Sequence, residues 1–237
     1  MNARPSLRPP HAGAFTLIEL LTVIAIIAIL MGLLFPALSA AKEQARRTAA
    51  GNAVRNIVNA CKSYQTDYGK FPPVPTALVG NVNTGGYYAY GDTTTGGCKV
   101  TNDQLFDILR AIPNGATTVN IGNAMNKRQQ KYFEMGKAKD PKTPRDGFTD
   151  GSDFTGTKGQ LMDPWGAQYC IVLDAADAGT IDMGTFFTDL SGAPNLLRVS
   201  AAAFSMGKDG KRGGKGYQNQ YRKTGSSEAP DDIVSWQ

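Results

Sequence analysis

Histidine is almost missing from this chain: the single one, His11, lies ahead of the long apolar run. A Ser-His-Asp or Cys-His mechanism and a His-ligated zinc site therefore have nothing to work with downstream. Carboxylate-only or lysine-based catalysis needs no histidine, but no constellation for either stands out, and no enzymatic activity is expected. Cysteine is scarce as well. Cys61, Cys98 and Cys170 are too few and too widely spaced for a zinc motif. In an oxidising compartment two can pair while one stays single, and their spacing does not choose the pair; the other reading is that Cys61 and Cys170 are buried small hydrophobes. Net charge is only +5 with a pI near 9.1. Removing residues 1–14, which hold Arg4 and Arg8, leaves +3, too little to argue for nucleic acid as a partner.

Charged side chains are absent from residues 20–41. At 1.5 Å rise per residue that stretch spans about 33 Å as a helix, enough to cross a bilayer. Its apolar residues surround the helix rather than forming a stripe, as expected where every side meets lipid or packed neighbours. One carboxylate, Glu19, sits at the head of this run. An unpaired carboxylate at membrane depth is costly, so it is by default a functional residue that needs a partner. Pro36 removes the N–H that would bond the Gly32 carbonyl, and a local break near Gly32 is expected. Arg4 and Arg8 precede the run while Lys42, Arg46 and Arg47 follow it, so flanking charge does not decide orientation.

The phrase Gly13-Ala14-Phe15-Thr16-Leu17-Ile18-Glu19 resembles the processing site of the type IV pilin family, which includes the pseudopilins of type II secretion. The resemblance implies a prepilin peptidase that cuts between Ala14 and Phe15 and N-methylates Phe15. Glu19 then becomes the fifth mature residue, and the cationic amine of a neighbouring subunit's Phe15 can pair with it as filaments assemble, which makes the buried charge a register device. Most family members have Gly before the cut where this chain has Ala14, and a cut after Gly13 stays open as the alternative.

From Lys42 to Tyr68 the pattern turns amphipathic. Val54, Ile57, Val58, Cys61, Tyr64 and Tyr68 recur at helical spacing, with Gly69 as the residue after the helix and Pro72-Pro73 preventing its resumption. Residues 64–72 resemble the end of this helix in major pseudopilins. Residues 74–103 read as loop, residues 102–112 as a short helix with Leu105, Ile108, Leu109 and Ile112 on one face, and residues 136–160 as further loop. Asp146, Asp150 and Asp153 there do not fit the helix-loop-helix calcium spacing and read as solvated carboxylates. Asp163-Pro164-Trp165-Gly166 predicts a turn followed by a strand over 168–173; this phrase too resembles the major pseudopilins. Residues 181–188 and 196–204 read as strands, the second with Leu197, Val199, Ala201 and Ala203 on one face.

These elements predict an α+β class. The resemblance implies a pilin-like fold, with a long N-terminal helix packed on an antiparallel sheet. Its divisions are a leader at 1–14, a transmembrane and filament-core helix at 15–41, an amphipathic helix at 42–70 and an extracytoplasmic globular domain at 71–237.

The tail, Phe204 to Gly214 followed by Asp231-Asp232-Ile233-Val234-Ser235-Trp236, resembles the C-terminal loop of the major pseudopilins, which binds calcium. The resemblance implies Asp209 and Asp232 as ligands of Ca2+, with Asp231 assisting or substituting. Oxygen ligands and a Gly-rich loop suit a hard cation. Residues 217–230 lengthen the loop and bring Tyr217, Arg222 and Lys223 where the family has acidic residues, so the competing reading is a turn at Asp209-Gly210 beside a solvated acidic pair. The basic stretch from Lys208 to Lys223 can be read as an anion-binding loop or as a solvated one.

The family resemblance implies a structural subunit of a type IV pilus-like or type II secretion pseudopilus filament. Its partners would be copies of itself, minor pseudopilins, the prepilin peptidase and an inner-membrane assembly platform. Its place would be the inner membrane, as a single-pass protein with an exported C-terminal domain. The alternative is an exported soluble or anchored binding protein in which residues 1–41 are a signal or anchor, with Ser39-Ala40-Ala41 a cleavage site.

Overall fold

The computed structural model describes residues 16–73, 86–94, 98, 100–113, 115, 119–154, 156, 158–183, 186–187, 196–213 and 231–236. The chain divides into two compact units, Met1–Gln44 and Ala45–Gln237, and the helix α1, Leu17–Tyr68, carries residues of both.

In the first unit α1 is apolar on every side. Each large hydrophobic from Leu17 to Leu38 is exposed, and the helix is long and apolar enough to cross a membrane. A surface of this kind needs lipid or other helices to cover it. The expected break near Gly32 does not occur: α1 runs through Pro36 without interruption.

In the second unit the helix changes character, as the spacing of its apolar residues predicts. Ala50, Ala53, Val54, Ile57, Val58, Ala60, Cys61 and Tyr64 are buried, three and four apart, so they form one stripe. Tyr68 is half-buried against the same core. The helix stops at Gly69, whose φ of +70° suits a residue without Cβ; its N–H still reaches Gln65 O at 2.7 Å.

The stripe shares a core with one face of a four-stranded antiparallel sheet of order β1-β4-β7-β8, formed by Tyr87–Tyr90, Cys170–Asp174, Ala201–Ser205 and Ile233–Val234. Alternation along the strands sorts the side chains. Ile171, Leu173, Ala201 and Ala203 join the helix stripe, while Cys170, Val172, Ala202 and Phe204 turn to a second core with Met183, Phe186 and Phe187. Two small ladders complete the sheet structure among the described residues: β2 (Gly147–Phe148) pairs with β3 (Leu161–Met162), and β5 (Ile181–Asp182) with β6 (Leu196–Leu197). The helix α2, Asp103–Leu109, buries Leu105, Phe106, Ile108 and Leu109. Asn102 ties it to the sheet through bonds to Leu161 and Tyr169.

Other sequence expectations are corrected as well: the stretch 136–160 contains the short strand Gly147–Phe148, and among the described residues the strand expected over 181–188 is seen only at Ile181–Asp182. Residues 74–103 are not all loop, because Tyr87–Tyr90 forms the edge strand β1. Residues 196–204 are not one strand: Leu196–Leu197 pairs with β5 and Ala201–Ser205 with β4, so Leu197 and Val199 pack against the second core while Ala201 and Ala203 face the first. Asp150 is not simply solvated. It takes two hydrogen bonds from Arg110, at 3.1 and 2.5 Å, and the guanidinium lies 3.7 Å over the Phe148 ring.

Candidate functional site: a capped apolar helix and an acidic C-terminal loop

Two places hold the residues singled out from the sequence. Ala14 and Phe15 lie outside the described residues. Glu19 is in the first turn of α1, and its backbone N–H meets Thr16 Oγ1 at 3.3 Å. In return the Thr16 N–H and hydroxyl donate to Glu19 Oε2 at 2.8 and 2.7 Å. This is a capping box: a Thr before the helix and a Glu three residues on each satisfy a donor the helix leaves open. A carboxylate has about four acceptor sites, so the bonds from Thr16 leave capacity for a cation. Glu19 is exposed among exposed Leu17, Ile18, Leu20 and Leu21, where such a cation can reach it. Thr16 was missed as a site residue, although Thr-x-x-Glu ahead of an apolar run is its signal.

At the other end of the chain the segments that hold Asp209, Asp231 and Asp232 are tied together by backbone-to-carboxylate hydrogen bonds. The Asp209 N–H donates to Asp231 Oδ2 at 3.1 Å, the Lys211 N–H to Asp209 Oδ1 at 2.8 Å, and the Gly213 N–H to Asp232 Oδ2 at 2.6 Å. The Oδ1 atoms of Asp231 and Asp232 are buried and accept no hydrogen bond from the described residues. Burial is the main reason the Asp232 carboxyl is pushed up to about 8 from its ordinary 3.8, and neighbouring Asp231 and Asp209 add to it. Burial likewise raises Asp231, with Asp209 repelling its charge. Two buried carboxylate oxygens without a hydrogen-bond donor among the described residues, on carboxyls whose ionisation burial disfavours, fit the chemistry of a hard cation. Among the described residues no three His, Cys, Asp or Glu side chains make a ready cluster, so an ion here would have to draw its remaining ligands from backbone carbonyls or water. Arg222 and Lys223, the competing neutralisers, lie outside the described residues.

Two further residues hold this loop and were not singled out. Gly207 has φ +65°; a Cβ there would collide with the Asp231 carbonyl oxygen and approach its carbon to 2.7 Å, so only glycine lets the two segments pass. Ser205 donates to buried Asp163 Oδ2 at 2.6 Å and accepts from the Gly207 N–H at 3.2 Å. Asp163 Oδ1 in turn takes the N–H groups of Trp165, Gly166 and Ala167. The turn that begins at Asp163 and the acidic loop are thus one hydrogen-bonded structure.

Residues 10–35 match the model of the prokaryotic N-terminal methylation motif. The type IV wide pilus major component PilA4 of Thermus thermophilus is 42% identical over 69 residues, which are 29% of this chain and 53% of that protein. The chain therefore spans about half the length of the curated relative it matches. No solved structure matches it. The chain thus carries the methylation motif at the head of an exposed apolar helix, is similar over part of its length to a type IV pilin, and has a helix-plus-antiparallel-sheet architecture consistent with a pilin-like fold.

Proposed function

We propose that the chain is a structural subunit of a filament, either a type IV pilus or a type II secretion pseudopilus, and not an enzyme. The observation that carries this reading is the apolar, fully exposed N-terminal half of α1 with a carboxylate in its first turn. In the membrane lipid covers that surface, and in a filament the same helices of other copies cover it. A peptidase cuts between Ala14 and Phe15 and the new amine is methylated, in keeping with the motif at residues 10–35. The amine of one subunit then pairs with Glu19 of another. Before assembly the subunit is a single-pass protein of the inner membrane, with residues 71–237 exported, and an assembly platform and minor subunits start the filament. The pseudopilin-like tail favours secretion over a surface pilus.

Calcium is part of the proposal. Asp232 and Asp231 supply carboxylate oxygens, with Asp209 beside them, and the ion offsets the burial and the mutual repulsion that raise both carboxyls. What the ion supplies is cross-linking of the 206–213 loop to the 231–236 tail.

The test is recovery of filaments from the surface or periplasm. Sheared fractions from cells overproducing the chain should contain it as fibres, and those from cells lacking the prepilin peptidase should not. Equal recovery from both would contradict the reading, and a soluble product beginning at Lys42 would support the exported-protein alternative.

A further inference from the structure

The three cysteines do not stand on equal terms. Cys61, on α1, belongs to the core on one face of the sheet, whereas Cys98 and Cys170 belong to the core on the other. The sheet itself lies between Cys61 and the other two. Cys170 opens β4, and its neighbour Ile171 pairs with Tyr90. One residue past Tyr90, the backbone at Gly91 runs directly against Cys170, where a Cβ would come 2.8 Å from the Cys170 Cα and 2.9 Å from its Sγ. The chain then returns: the Cys98 N–H donates to Asp92 O at 3.1 Å, and the Gly91 N–H to Val100 O at 2.6 Å. The return sets Cys98 beside Cys170 within the second core, close enough for the two thiols to interact.

From this placement we propose that Cys98 and Cys170 form a disulfide and that Cys61 remains a thiol. The oxidant is another disulfide, either of a thiol-disulfide exchange protein or of a small molecule such as oxidised glutathione. One cysteine thiolate attacks an oxidant sulfur, breaking that S–S bond and releasing one thiol. The second cysteine sulfur attacks the mixed disulfide and releases the other. Two cysteine thiols and one disulfide become one Cys98–Cys170 bond and two product thiols, which carry off both protons and both electrons. Both residues are buried, at 2% and 0% exposure, and burial raises the Cys98 thiol far above its ordinary range. Exchange therefore belongs to folding, before the second core closes, and the closed core afterwards shields the bond from reductant. The bond ties the segment after β1 to the central strand β4, at a point where the ladder has only four pairs. Formation in the cell rests on export of this domain, as proposed above; the pairing itself does not.

The test counts thiols in the full-length chain, purified in detergent without reductant, denatured and alkylated. One alkylated cysteine, Cys61, and a peptide pair joined through Cys98 and Cys170 are expected. In parallel the chain is reduced, unfolded and refolded in a glutathione redox buffer, which supplies the oxidant whatever the protein's address. The same linked pair should form, and Cys98→Ser should leave both Cys61 and Cys170 open to alkylation. A link on refolding but three alkylated thiols in protein from cells supports the pairing and counts against export. Three thiols after refolding, or any link through Cys61, overturns the proposal.

Discussion

Thr16 and Glu19 hydrogen-bond each other in both directions at the start of α1, with the Glu19 N–H reaching the threonine hydroxyl and Glu19 Oε2 receiving the threonine N–H and hydroxyl. Glu19 thus has a local task, closing the helix end, besides the proposed one of receiving a neighbour's amine, and the two tasks can be separated. Thr16→Ala removes the cap at a cost of about 1 kcal/mol but leaves the carboxylate, so filament yield by shear fractionation should stay near normal. Glu19→Ala removes both and should leave processing and membrane insertion intact while lowering yield severely. Equal loss in the two variants would make capping the whole role of Glu19.

Gly207 is the position where the acidic loop is least tolerant. Gly207→Ala forces a Cβ into the Asp231 backbone at positive φ, and a loss of roughly 1–3 kcal/mol is expected from the strained conformation alone. Thermal melting of the full chain in detergent checks this. Gly210, at φ +65° with open space around it, serves as the control and should cost less.

Calcium should stabilise the folded chain by about 2.7 kcal/mol at a roughly hundredfold excess over Kd. Melting temperature should rise with millimolar calcium and fall with chelator, and Asp209→Ala or Asp232→Ala should remove that dependence while Asp146→Ala should not. An unchanged melting temperature would mean that basic residues hold the loop instead.

The same site gives a pH signature without metal. Asp232 in the folded chain titrates at about 8 against an ordinary 3.8. Between about pH 4 and pH 8 the folded state therefore holds a proton that the unfolded state has lost. Stability from this group is full below about pH 4 and declines as pH rises through that window. Asp232→Asn, which cannot ionise, should flatten the decline in chelator, and wild type with calcium should flatten it as well, since the cation replaces the proton. A decline of equal slope in Asp232→Asn would assign it to another group.

Much of this was legible in the sequence, because single residues there have few alternatives. An amphipathic stripe from Val54 to Tyr64 and the Asp163-Pro164-Trp165-Gly166 turn each point to one local structure, and both are found. The strand β1 was hidden because both its faces are covered: Tyr87 and Ala89 enter one core and Tyr88 and Tyr90 the other, so no polar alternation marks it. The stretch from Leu197 to Ala203 misled for the opposite reason. Its alternation is unbroken in sequence, yet the chain changes sheets near Ser200, whose carbonyl accepts the Asp174 N–H. The bond between Ser205 and Asp163 spans 42 residues, a separation at which local pattern carries no signal.

If the small residue before the cut is what the peptidase requires, Ala14→Leu should leave a heavier precursor in the membrane. Maturation of that variant at the normal rate would move the cut to Gly13 or to the region of Ala41.

The account rests on where the mature chain begins, and mass spectrometry of its N-terminal peptide reads this directly. The expected peptide begins at Phe15 and carries one added methyl group on its α-amine, which places the amine four residues ahead of Glu19. A chain that begins at Lys42, or that keeps residues 1–14 in assembled material, would contradict it.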